Sequence, residues 1–109
     1  MTAQQVTIVD YDVGNLKSVH RAFTAVGASV SVTRDHHEIA QAERLVLPGV
    51  GAFASCMGKL VEFDLLAPLR AFFDRERPFL GICVGMQLMM ANGEEFGDHD
   101  GLNLIPGAV

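Results

Sequence analysis

The chain has 109 residues, room for one small domain and not two. Half of them are hydrophobic and 19% are charged, a balance that supports a packed core and excludes a disordered or low-complexity chain. The formal net charge is -5, and the eight Lys and Arg residues are scattered, which argues against nucleic acid as a partner.

No apolar run approaches a membrane span, and the N-terminus lacks the charged-then-apolar pattern of a signal peptide. The two cysteines, Cys56 and Cys83, make neither a disulfide framework nor a metal site. Reduced thiols in the cytoplasm, with no cofactor and no membrane or nucleic-acid partner, are the expectation.

In chain order, "VTIVDY" (Val6 to Tyr11) is an apolar, β-branched strand run, followed by the small-residue loop "DVGN". Leu16, Val19, Phe23 and Val26 recur at helical spacing, with Gly27 as the stop. "ASVSVT" alternates like a strand, "DHHEIAQAE" suits a short helix, and "RLVLPGVG" reads as a buried strand running into a glycine loop. Pro68 is a good first-turn residue, and Leu69, Phe72 and Phe73 share one face of a helix that ends before Pro78. "FLGIC" reads as a buried strand, "VGMQLMMAN" as a helix, and "GLNLIPGAV" as the start of a further strand.

Strands apolar on both faces, alternating with helices, predict an α/β fold: a flavodoxin-like, doubly wound parallel sheet with helices on both faces. Ligands of such folds sit beyond the carboxyl ends of the strands. Three loops, Asp12–Asn15, Pro48–Gly51 and Gly81–Gly85, fall at that edge.

"GICVG" (Gly81 to Gly85) has the spacing of a nucleophile elbow, with Cys83 at its centre. The flanking glycines let strand and helix approach, while the central residue takes a strained backbone and projects its side chain. The helix start favours the thiolate. An isolated cysteine is most often a small core residue; the glycines and the strand-to-helix switch favour a nucleophile here, whereas Cys56 lacks that setting and reads as structural. In "PGVGAF" the backbone N–H groups of the glycine loop are candidates to stabilise an oxyanion, together with the Val84 amide. An ordinary turn is the competing reading of that loop. His20, His36, His37 and His99 all lie in helical or polar segments, and none is positioned like a base. Met86, Met89 and Met90 read as packing on the elbow helix.

"DYDVGNLKSV", "LPGVGAF" and "PFLGICVGMQLMM", in that order, resemble the glutaminase subunits of imidazole glycerol phosphate synthase, which are class I, triad-type glutamine amidotransferases. Related glutaminases tend to carry P-G-G at the second loop, so "PGVG" narrows the likeness. The resemblance implies hydrolysis of glutamine to glutamate and ammonia through a γ-glutamyl thioester on Cys83. It also implies an oxyanion hole from Val50, Gly51 and Val84, and substrate contacts from Gly49, Gln87 and Glu95. For Glu95 a solvated loop acid is the competing reading. The implied partner is a (β/α)₈-barrel cyclase subunit, met by the loop carrying Asp12 and Asn15.

Members of that family take the base and orienter of the triad from a His-x-Glu downstream of the nucleophile. The one His-x-Glu here, His36-His37-Glu38, lies well before Cys83, and none follows it in these 109 residues. The expectation is that residues 1–109 form the N-terminal part of a single amidotransferase domain, cut off after the elbow helix. Such a piece is expected to be inactive alone and to leave a sheet edge and part of an apolar face uncovered. Two other readings stand beside this one: a DJ-1/PfpI-type cysteine hydrolase, and a non-catalytic flavodoxin-like module with a buried Cys83.

Overall fold

A computed structural model describes residues 3–109. Strands β1 (Gln5–Val9), β2 (Ser29–Thr33), β3 (Leu45–Leu47) and β4 (Phe79–Gly81) form a parallel sheet in the order β2-β1-β3-β4. The β-branched and leucine-rich strands β1 and β3 take the two central places. Val6, Ile8 and Val46 face one side of the sheet, and Val9, Leu45 and Leu47 face the other.

The second side carries the larger core. Helices α2 (His36–Ala40), α3 (Phe53–Glu62), α4 (Leu66–Asp74) and α5 (Val84–Leu88) contribute Ile39, Phe53, Cys56, Leu60, Leu69, Phe72 and Leu88 to it. Asp35 caps α2 by accepting the Glu38 N–H at 2.9 Å. Arg75, at the end of α4, donates to the Ala40 and Ala42 carbonyls at 2.7 and 3.0 Å, closing the C-terminus of α2.

The first side is covered by one helix, α1 (Leu16–Ala25), through Leu16, Val19 and Phe23. Val26 lies beyond the helix and is exposed, so the predicted stripe ends at Phe23. Ala28 N–H bonds to Phe23 O and Gly27 N–H to Thr24 O, a Schellman ending made possible by Gly27 at φ 92.

Full cover of both faces is therefore a feature of the central strands only. On β4, Leu80 pairs in register with Val46, continues the α1 side, and is 49% exposed. A groove of about 180 Å³ runs there between Phe23, Val46 and Leu80.

Three elements depart from the sequence reading. Helix α3 was not foreseen. The elbow helix is one and a half turns rather than nine residues: Leu102, Asn103 and Leu104 donate to the carbonyls of Leu88, Met90 and Met89, drawing Met90 into strand β5 (Met90–Gly93). Met86 is exposed rather than packed. The final segment does not extend the main sheet. Strands β6 (His99–Asp100) and β7 (Ile105–Ala108) flank β5 in a separate sheet of order β6-β5-β7. Among the described residues, no helix is long and apolar enough to cross a membrane.

Candidate active site

Cys83 stands between β4 and α5 as the N-cap of the helix, with φ 54 and ψ -123. Few L-residues adopt such a backbone, and it turns the side chain out of both elements, leaving Cys83 exposed. It is not a core residue.

The flanking glycines are required by contact. A Cβ on Gly81 would stand 2.7 Å from the Met86 nitrogen, and one on Gly85 would enter the Leu47 carbonyl oxygen and stand 2.9 Å from the Pro48 carbonyl carbon. A Cβ on Gly49 would meet the Gly85 nitrogen, with the Val84 carbonyl carbon 2.9 Å away. The end of β3 and the start of α5 thus touch backbone to backbone, and Ile82 N–H donates to Leu47 O at 3.0 Å. Two of the three anticipated loops form one surface.

On that surface the N–H groups of Val50, Gly51 and Val84 find no backbone acceptor among the described residues. The Val84 group is one of the orphan donors of a helix start. Val50 is 56% exposed. Gln87 follows Cys83 by one turn, with its N–H on the Cys83 carbonyl at 3.3 Å. Glu95 is exposed, yet it is more than a solvated acid: its carboxylate accepts the Phe53 N–H at 3.3 Å, where the glycine loop enters α3.

The first loop reaches the others indirectly. Asp12 and Asn15 are exposed and take left-handed backbone, at φ 66 and 77. The Asp12 carboxylate lies 3.7 Å from Lys59 Nζ on α3, and Asn15 Oδ1 accepts from Ser18 Oγ at 3.2 Å.

Among the described residues, no histidine is hydrogen-bonded to Cys83. His20 contacts Thr24, His36 the Phe63 carbonyl, and His99 the Phe96 carbonyl. Among the described residues, no group of three or more His, Cys, Asp or Glu side chains is arranged to hold a metal.

Tyr11, which sequence reasoning passed over, and Cys56, which it read as structural, hold the glycine loop from beneath. Fully buried Tyr11 donates its phenol to the Pro48 carbonyl, and Cys56 donates its thiol to the Val50 carbonyl at 3.3 Å. Burial pushes both groups above their ordinary pKa, so both remain protonated donors near neutral pH. The only sequence signal for Tyr11 was a polar-tipped aromatic where β1 leaves the sheet.

Residues 7–99 match the family described as glutamine amidotransferase class-I. The imidazole glycerol phosphate synthase subunit HisH of Syntrophotalea carbinolica is 51% identical over 104 residues, covering 95% of this chain and 50% of that protein. The HisH subunit of Salinibacter ruber is 52% identical over 103 residues, covering 94% and 47%. The chain spans about half the length of the curated relatives it matches. Among solved structures, a peptidase E protein from Listeria monocytogenes EGD-e superposes with a TM-score of 0.72 at 14% identity, over 94% of this chain and 63% of that one. At that identity the likeness concerns the fold alone.

Proposed function

Since the chain belongs to the class-I glutamine amidotransferase family, we propose that residues 1–109 are the N-terminal part of a single amidotransferase domain. The reading that fits best is the glutaminase subunit of an imidazole glycerol phosphate synthase, working in cytoplasmic histidine biosynthesis. One observation carries it: an exposed thiol on a strained turn, pressed against a glycine loop with free N–H donors. The names of the relatives support the choice of synthase.

The chemistry is acyl transfer. Cys83 Sγ attacks the side-chain amide carbon of glutamine, a C–S bond forms, and the amide oxygen takes up negative charge. The N–H groups of Val50, Gly51 and Val84 are the donors assigned to that oxygen. The C–N bond then breaks, the nitrogen leaves as ammonia with the thiol proton, and a γ-glutamyl thioester remains. Water adds to the thioester, the C–S bond breaks, and glutamate departs as the sulfur regains a proton. Gly49, Gln87 and Glu95 are assigned to holding glutamine in place. Ammonia passes to a (β/α)₈-barrel cyclase subunit that docks against the loop carrying Asp12 and Asn15.

General-base help is typically worth about 10²- to 10⁴-fold, and no histidine is bonded to Cys83 here. The chain alone is therefore expected to release no more ammonia from glutamine than its Cys83→Ala variant. A diazo-ketone analogue of glutamine tests the site itself. It is expected to alkylate Cys83 and spare Cys56, with protection by glutamine. Modification of Cys83 by iodoacetamide without any by the analogue would favour a different cysteine hydrolase.

A further inference from the structure

We propose that Tyr11 and Cys56 are positioning residues for the oxyanion loop, fixing two of its peptide planes so that its N–H groups face the nucleophile. The inference rests on the glutaminase reading of Cys83 and concerns residues outside the reacting set. Neither side chain reaches the exposed surface: Tyr11 is fully buried and Cys56 is 2% exposed.

The geometry is that of the trans peptide, in which a C=O and the following N–H point in opposite directions. Tyr11 holds the Pro48 carbonyl inward, and Cys56 on α3 holds the Val50 carbonyl inward at 3.3 Å. The Gly51 N–H, which shares a peptide with the Val50 carbonyl, is thereby turned outward, on the side where Val50 and Gly51 are exposed. The same rule directs the Gly49 N–H away from Tyr11.

Pro48–Gly51 needs such anchors. It contains two glycines, one at φ 100, and glycine leaves the backbone wide freedom. The end of the loop has its own tie, the Phe53 N–H on Glu95. Its middle is held by the phenol and the thiol. Their shared surroundings keep both protonated, as donation to a carbonyl requires.

The experiment compares two reactions of Cys83 in the 109-residue chain. With the γ-(p-nitrophenyl) ester of glutamate, the sulfur attacks the ester carbonyl and an oxyanion forms. The C–O bond then breaks, p-nitrophenolate leaves as a coloured burst, and the thiol proton goes to buffer. Iodoacetamide alkylates the same sulfur by displacing iodide, without an oxyanion. Tyr11→Phe and Cys56→Ala are each expected to slow acylation about tenfold, below the 10²- to 10³-fold loss of a direct donor, while alkylation stays within about twofold. Cys56→Ser, which keeps a donor, is expected to restore acylation.

An unchanged ratio of the two rates in both variants overturns the proposal. A parallel fall of both rates, or loss of the folded state, also overturns it and makes these residues core packing. No ester burst in the unsubstituted chain would instead refute the glutaminase reading beneath it.

Discussion

Replacing Cys83 by glycine is expected to stabilise the protein while abolishing its chemistry, and the size of the gain follows from the backbone. Cys83 is held at φ 54 and ψ -123, a region that costs a non-glycine residue about 1–3 kcal/mol. The thiol is exposed, so removing it sacrifices little packing. The correct reference is Cys83→Ala, which loses the sulfur and keeps the strain. Relative to alanine, glycine relieves about 2 kcal/mol of strain and gives back about 0.4–1 kcal/mol through the greater freedom of the unfolded chain. The net is a gain of about 1 kcal/mol, which in a domain of this size raises Tm by about 4 °C. Thermal melts by far-UV circular dichroism, paired with urea titrations, measure it for both variants. The reasoning fails if Cys83→Gly melts below Cys83→Ala, since an ordinary backbone at this position would make glycine the less stable of the two. Such a result would remove the strained elbow, and with it the case for Cys83 as a nucleophile.

Gly85→Ala drives a methyl into the Leu47 carbonyl and is expected to lower stability by about 3 kcal/mol or more, beyond ordinary overpacking. Gly58→Ala, which meets nothing within 4 Å on α3, should add about 0.5–1 kcal/mol; similar melts for the two would refute the tight elbow contact. Burial raises the pKa of both Tyr11 and Cys56 in the folded state, so their stabilisation is complete below the unfolded cysteine value of about 8.5. It is lost as pH rises above that value. Tm is therefore expected to fall with alkalinity, less steeply in Cys56→Ala, and parallel slopes would dismiss the effect. Leu80 is expected to drive self-association through the open β4 edge. Leu80→Lys should shift sedimentation toward monomer, and a concentration-independent monomer in the parent chain would contradict this.

What was legible in the sequence was what neighbours along the chain decide. The β-branched run at Val6 and the Leu16, Val19 and Phe23 spacing specified β1 and α1, and the glycines around Cys83 specified its turn. Helix α3 was legible too, because Phe53, Cys56, Met57 and Leu60 are its buried residues and fall at i, i+3, i+4 and i+7. Gly58 and the small residues between them masked the stripe, and Cys56 completes it only when counted as apolar. The short α5 was not legible, since its end is set by amides of Leu102 and Leu104 on carbonyls more than ten residues earlier. The same divide runs through the site. Strand-to-helix closeness at Gly81 and Gly85 is encoded within five residues, so the elbow could be read directly. The bond from Tyr11 to Pro48 spans 37 residues, and a tyrosine ending an apolar strand looks like core until β1 and β3 are seen side by side. The elbow can thus be recognised from its own turn, whereas the glycine loop beside it is held in part by Tyr11, a side chain that only the parallel pairing of β1 with β3 brings beneath it.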